Sequence, residues 1–204
     1  MNIGGIILCG GRSRRMGVAK AWLPIAGETL LARTVRIVSE VVSPVVVVAA
    51  VGQELPPLPA EIEILHDEVS DRGPLGGLAT GLAALAGQID AAYLSACDLP
   101  NLNRPTIHFL VHEFSPAILA AVAQSDRGLH PLSAVYAVSL LSQIRERVSA
   151  GHLRMSDLIQ SIPHRVVPVP DVRSLVNLNT MTEYLEYLST IAPESRDQTD
   201  PLLE

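Results

Sequence analysis

The chain has 204 residues, 48% of them hydrophobic and 18% charged, with a formal net charge of -6. That length and a mean hydropathy of +0.31 suit one compact domain with a sizeable core. The acidic balance excludes a bulk basic field for nucleic acid or anionic lipid, so any phosphate must be held locally.

The first element is an apolar strand from Ile3 to Cys9, followed by a glycine-rich loop to Lys20 and a helix over Thr29 to Val42. Strands follow at Pro44 to Val51 and Ile62 to Leu65, then a second glycine-bearing loop and a helix over Gly76 to Ala86. Ala91 to Cys97 is the next strand, Arg104 to Glu113 a helix, and Ala117 to Ala123 another strand. Gln124 to Gly128 reads as a turn into the run Pro131 to Val138, which makes the sheet mixed there. A helix over Ser139 to Ser149, a strand over Arg165 to Val169 and a helix over Thr180 to Ser189 complete the pattern.

The apolar strand runs are short, and each reads as buried on both faces, the pattern of a mostly parallel sheet between helices. The expected folded domain is 1–192, and 193–204 reads as a disordered polar tail. Cys9 and Cys97 sit in apolar runs and read as buried thiols, which argues for a reducing, cytoplasmic setting. The longest apolar run near the start, Ile6 to Cys9, is too short for a signal segment or a membrane span.

In sheets of this kind ligands gather at the carboxyl ends of the strands. There, Leu8-Cys9-Gly10-Gly11-Arg12-Ser13-Arg14-Arg15-Met16-Gly17-Val18-Ala19-Lys20 joins backbone N–H groups that can approach anionic oxygens to three arginines and the chain's single lysine. The spacing is neither G-x-x-x-x-G-K-[ST] nor G-x-G-x-x-G. Asp67 lies in the loop that follows the third strand, and the Gly73-Pro74-Leu75-Gly76-Gly77 segment further along brings backbone close either to a packed helix or to a ligand.

Asp98, in Cys97-Asp98-Leu99-Pro100, places a carboxylate directly after a strand, where one acid suffices for Mg²⁺ if a triphosphate supplies further ligands. Asn177 and Asn179 share one face of an extended segment, and Thr180 with Glu183 has capping-box spacing. Zinc-ligand spacing and a G-x-S-x-G nucleophile elbow are both absent.

Taken together, these residues resemble the molybdenum-cofactor guanylyltransferases, whose motif L-x-G-G-x-S-x-R-M-G-x-x-K is matched from Leu8 to Lys20. The match continues through Asp67, Gly73-Pro74-Leu75, Cys97-Asp98-Leu99-Pro100, His130-Pro131 and Asn177-Leu178-Asn179-Thr180. The resemblance implies a single-domain α/β Rossmann-like nucleotidyltransferase fold, its sheet covered by helices on both faces. It also implies transfer of GMP from GTP to the phosphate of molybdopterin, with pyrophosphate released.

Carried over by position, Leu8, Cys9, Gly10, Gly11, Lys20, Asp67 and Asp98 would bind the nucleotide, with Mg²⁺ on Asp98. Arg15, Lys20 and Asp98 would carry the catalysis, and Arg15, Asn177 and Asn179 would meet the pterin. A molybdoenzyme or its insertion chaperone would receive the product.

The chain departs from the family pattern at Cys9, Ala19 and Met181, and at Val48-Ala49-Ala50, where relatives often place an asparagine. A cytidylyltransferase acting on the same cofactor is the nearest alternative, disfavoured by Gly10-Gly11 and by the GPL element. Sugar-phosphate or terpenoid-precursor nucleotidyltransferases, and a non-catalytic nucleotide-binding domain, are the further readings.

Overall fold

The computed structural model describes residues 1–10, 19–67 and 72–191. After strand β1 (Ile3–Leu8), the chain makes a 3₁₀ turn at Lys20–Trp22 and a hairpin of β2 (Pro24–Ile25) and β3 (Glu28–Thr29). Helix α1 (Leu30–Ser39), β4 (Val45–Ala50), β5 (Glu63–Asp67), α2 (Gly73–Leu85) and β6 (Ala91–Ala96) come next. They are followed by α3 (Arg104–Glu113), β7 (Ala120–Ser125), β8 (Gly128–Ala137), α4 (Leu141–Ser149), α5 (Met155–Gln160), β9 (His164–Pro168) and α6 (Met181–Ile191).

Among the described residues the main sheet has seven strands in the order β5-β4-β1-β6-β8-β7-β9. Strand β8 runs against its neighbours β6 and β7, and the other pairings are parallel. This is the mixed sheet expected from the sequence, and the Gln124–Gly128 turn falls where β7 folds back into β8.

Alternation within the strands splits the core between the two faces. Ile7 packs on the side of α1 and α3, with Leu31, Val35, Ile107 and Leu110. Ile6 and Leu8 pack on the other side, with Leu75, Leu78 and Leu82 of α2 and Ile144 of α4. Thr29 caps α1 by accepting the Ala32 N–H at 3.2 Å, and Asn103 caps α3 by accepting that of Thr106 at 3.0 Å.

Helix α2 lies unusually close to β1. A Cβ on Gly81 would stand 2.7 Å from Ile6 Cγ2, and one on Gly77 would stand 2.8 Å from Leu8 Cδ2. Gly77, at the end of the GPLGG segment, therefore serves helix-to-strand packing, one of the two roles the sequence left open.

Two expectations need correction. Strands β5 and β9 are not buried on both faces, because the strand order puts them at the sheet edges; Ile64 is 41% and Val166 38% exposed. The periodicity also missed α5, which spans only Met155–Gln160, and the β2-β3 hairpin.

Candidate active site

The strand order reverses between β1 and β6: from β1 the chain runs outward to β4 and β5, then returns to place β6 on the other side. The carboxyl ends of β1 and β6 therefore border the crevice where sheets of this type bind ligands. Cys9 and Gly10 lie at one lip, Cys97 and Asp98 at the other, and the Cys97 N–H donates to the Leu8 carbonyl at 3.0 Å.

Lys20 reaches this crevice from the 3₁₀ turn, with Nζ 2.7 Å from Asp98 Oδ2 and 3.1 Å from Asn179 Oδ1. Asn177 Nδ2 donates to the other Asp98 oxygen at 2.8 Å. Four of the residues singled out in the sequence thus form one hydrogen-bonded group, drawn from three distant stretches of chain. The Lys20 and Asp98 side chains are 18% and 15% exposed, so the ion pair is shielded but reachable.

The Asn-x-Asn geometry follows from strand-like alternation. Leu178 points away from the crevice into a small cluster with Leu23, Ile25, Leu30 and Tyr184, which turns its neighbours toward Lys20 and Asp98. The Leu178 N–H also donates to the Asp98 carbonyl at 2.9 Å, tying the segment to the end of β6.

Just beyond it, Thr180 accepts the Glu183 N–H at 3.1 Å while the Glu183 carboxylate accepts the Thr180 N–H at 3.0 Å, a complete capping box for α6. Helix α6 is held in turn by the Tyr184 hydroxyl on the Pro24 carbonyl and by the Tyr187 hydroxyl on the Pro100 carbonyl. Arg33 donates to the same Pro100 carbonyl, so the turn after Asp98 is fixed from two sides.

Cys9 and Cys97 are both free and buried. The adjacent Cys9 thiol, with burial, pushes the Cys97 thiol well above its ordinary value, and both thiols serve as packing groups beneath the crevice. Asp67 closes β5 opposite Ala50. Gly11 and Arg15 lie outside the described residues.

His130 sits on the hairpin where β7 and β8 shift register, 2.7 Å from the Ser125 hydroxyl. Burial, then the nearby Arg127, lower its pKa.

Gln53 and Trp22 were not among the expected site residues, yet both bracket the first loop: Gln53 Nε2 donates to the Cys9 carbonyl at 2.9 Å, and the Trp22 indole donates to the Glu54 carbonyl at 3.1 Å. The available signal was a polar Gly52-Gln53-Glu54 segment just past a strand's carboxyl end.

The profile of the MobA-like NTP transferase domain matches residues 5–166. The chain belongs to the MobA-like NTP transferase family. A relative from Mycobacterium tuberculosis H37Rv, named "Probable molybdenum cofactor guanylyltransferase", is 36% identical over 181 residues, covering 87% of this chain and 89% of its own.

Among solved structures, molybdopterin-guanine dinucleotide biosynthesis protein A from Archaeoglobus fulgidus superposes with a TM-score of 0.73 at 19% identity, over 93% of this chain and 98% of its own. A Mycobacterium tuberculosis H37Rv protein in complex with manganese gives a TM-score of 0.68 at 18% identity, over 94% and 100%. Both likenesses are in the fold. Membership of the MobA-like NTP transferase family makes the chain a nucleotidyltransferase and gives the Lys20–Asp98 crevice a reaction class to be tested against.

Proposed function

We propose that the chain transfers a GMP unit from GTP to the terminal phosphate of molybdopterin and releases pyrophosphate. The observation that carries this reading is the Lys20–Asp98 pair, flanked by Asn177 and Asn179, in the crevice between β1 and β6. A cation donor, a carboxylate and two amides together suit two phosphate-bearing substrates and a metal. The guanylyltransferase name of the mycobacterial relative supports the choice of substrates.

In this reading an oxygen of the pterin phosphate attacks the α-phosphorus of GTP in line. A new P–O–P bond forms as the α–β bridging bond breaks, and the electron pair leaves with pyrophosphate. The phosphate nucleophile is already ionised near neutral pH, so positioning and charge neutralisation carry the catalysis.

Lys20 and Arg15 neutralise the polyphosphate, and Leu8, Cys9, Gly10 and Gly11 bind the nucleotide. Asp67 meets the nucleoside. Asn177 and Asn179 hold Asp98 and Lys20 in place and face the acceptor side.

For a divalent cation, the described residues offer the Asp98 carboxylate and no cluster of three or more His, Cys, Asp or Glu. That donor set fits Mg²⁺, which takes one or two carboxylates and completes its shell with phosphate oxygens and water. Bound there, the ion supplies charge neutralisation on the triphosphate. Lys20 can turn to a phosphate as Asp98 turns to the cation, so neither side chain is left unpaired.

Two free thiols are in keeping with a reducing cytoplasm, and no described helix is long and apolar enough to cross a membrane. The product's recipient is a molybdoenzyme or its insertion chaperone.

The test is isotopic. GTP labelled at the α-phosphorus should pass its label to a pterin dinucleotide, while label at the γ-phosphorus should appear in pyrophosphate. Label that stays in GTP when pterin and Mg²⁺ are both present would refute the reading.

A further inference from the structure

Gln53 stands just past β4, after Gly52 with its positive φ of 71°, and its side chain reaches back to the residue that follows β1. Its side-chain amide is used at both atoms. Oε1 accepts the Ala50 N–H at 3.2 Å, and Nε2 donates to the Cys9 carbonyl at 2.9 Å. The next residue, Glu54, offers its backbone carbonyl to the Trp22 indole N–H at 3.1 Å.

Trp22 closes the 3₁₀ turn that begins at Lys20. Gln53 and Glu54 therefore grip the chain on both sides of the glycine-rich segment, at Cys9 before it and at Trp22 after it.

The grip at Cys9 has a directional effect. The Cys9 N–H donates to Val48 of β4 at 2.8 Å, and the Cys9 carbonyl, held by Gln53, faces that same side. In a trans peptide the N–H points opposite to the carbonyl, so the Gly10 N–H is turned toward β6. The preceding carbonyl, that of Leu8, already accepts the Cys97 N–H just past β6. Gly10 is an exposed residue, and this orientation turns its N–H toward the side of the crevice that holds Asp98.

We propose that Gln53 is a positioning residue of the nucleotide site: it fixes the Cys9–Gly10 peptide so that its N–H serves as a donor to the nucleotide, while the adjoining Glu54 carbonyl fixes the Lys20 turn through Trp22. This rests on the reading of the crevice as the GTP site. It also accounts for how the chain organises the end of β4 with Val48-Ala49-Ala50 there, since the amide comes from three residues beyond Ala50.

The experiment compares wild type, Gln53→Met and Trp22→Phe. Methionine keeps the side-chain length without either hydrogen bond, and phenylalanine keeps an aromatic ring without the indole N–H. Each is expected to raise KM for GTP, Gln53→Met by about tenfold, the worth of roughly one well-placed hydrogen bond, with kcat and the KM for the pterin little changed.

Hydrogen exchange at the Cys9 and Gly10 amides should quicken in Gln53→Met, and at Trp22 and Leu23 in Trp22→Phe. A merely structural residue would lower the unfolding midpoint and leave KM for GTP alone. A folded Gln53→Met with wild-type KM for GTP overturns the proposal; if that variant does not fold, a wild-type KM in Trp22→Phe overturns it. Should wild type itself fail to use GTP, the functional reading falls, and unchanged exchange in both variants would then independently remove the grip on the loop.

Discussion

Lys20 and Asp98 lie 78 positions apart in the sequence and hold each other at 2.7 Å across the crevice between β1 and β6. Asp98 is also the carboxylate that would carry the metal. Asp98→Asn keeps the shape and a hydrogen-bonding oxygen but removes the charge. It should lower kcat by about a hundred- to a thousandfold, the usual cost of losing a preorganised electrostatic group. Steady-state kinetics would show this, with far-UV circular dichroism confirming an intact fold.

Lys20 contacts Asp98 and Asn179 through a single ammonium. Lys20→Met should reduce kcat/KM for GTP by about a hundredfold. Lys20→Arg should recover only part of it, because a planar guanidinium does not reproduce a compact point charge on a flexible stem. Equal activity of Lys20→Arg and wild type would remove the geometric part of this argument.

Asn177 reaches Asp98 at 2.8 Å from the segment before α6. If it acts by holding that carboxylate, Asn177→Ala and Asp98→Asn should not be additive. A double-mutant cycle on kcat/KM should return a coupling of about 1 kcal/mol, whereas independent effects would give none.

Much of this arrangement was legible in the sequence, for identifiable reasons. Short continuous apolar runs and helical patterning located the main strands and helices, because strands such as β1, whose Ile6 and Ile7 serve opposite cores, are apolar on both faces and the long helices cover them. Strand-like alternation put Asn177 and Asn179 on one face, and the structure turns Leu178 between them into a buried cluster. Burial at the edges was not legible, since strand order decides that β5 and β9 lie outermost, and order is a long-range property.

The β2-β3 hairpin was missed because its turn uses Ala26 (φ 49°) and Gly27 (φ 88°), whereas the strong sequence signal for such turns is Asn-Gly or Asp-Gly. Gln53 was passed over because nothing local shows that its amide crosses to β1.

Gly81 offers a test of the packing. The Ile6 side chain it faces is fully buried, with three of its atoms within 2.8 Å of where a Cβ would stand. Gly81→Ala should destabilise the fold by about 2 kcal/mol through overpacking, despite alanine's better helix propensity. Urea unfolding would measure it, and a stabilised variant would show that α2 can lift from β1 freely.

Stability should also fall at alkaline pH. The Cys97 thiol is pushed up by the Cys9 thiol and by burial, and the Tyr93 and Tyr136 hydroxyls are pushed up by burial. Their folded pKa values lie above the unfolded ones, so their contribution is complete at neutral pH. As pH rises past about 8.5 for the thiol and about 10 for the phenols, the unfolded chain releases protons that the folded protein retains. The urea midpoint should decline over that range, and Cys97→Ala should flatten its lower part.

The most direct measurement of the central claim is pyrophosphate release by the purified protein with Mg²⁺ and molybdopterin, comparing GTP with CTP and each with a pterin-free control. The account predicts pterin-dependent release with GTP, strongly preferred over CTP, and its loss in Asp98→Asn. Preference for CTP, or GTP binding without pterin-dependent release, would contradict it.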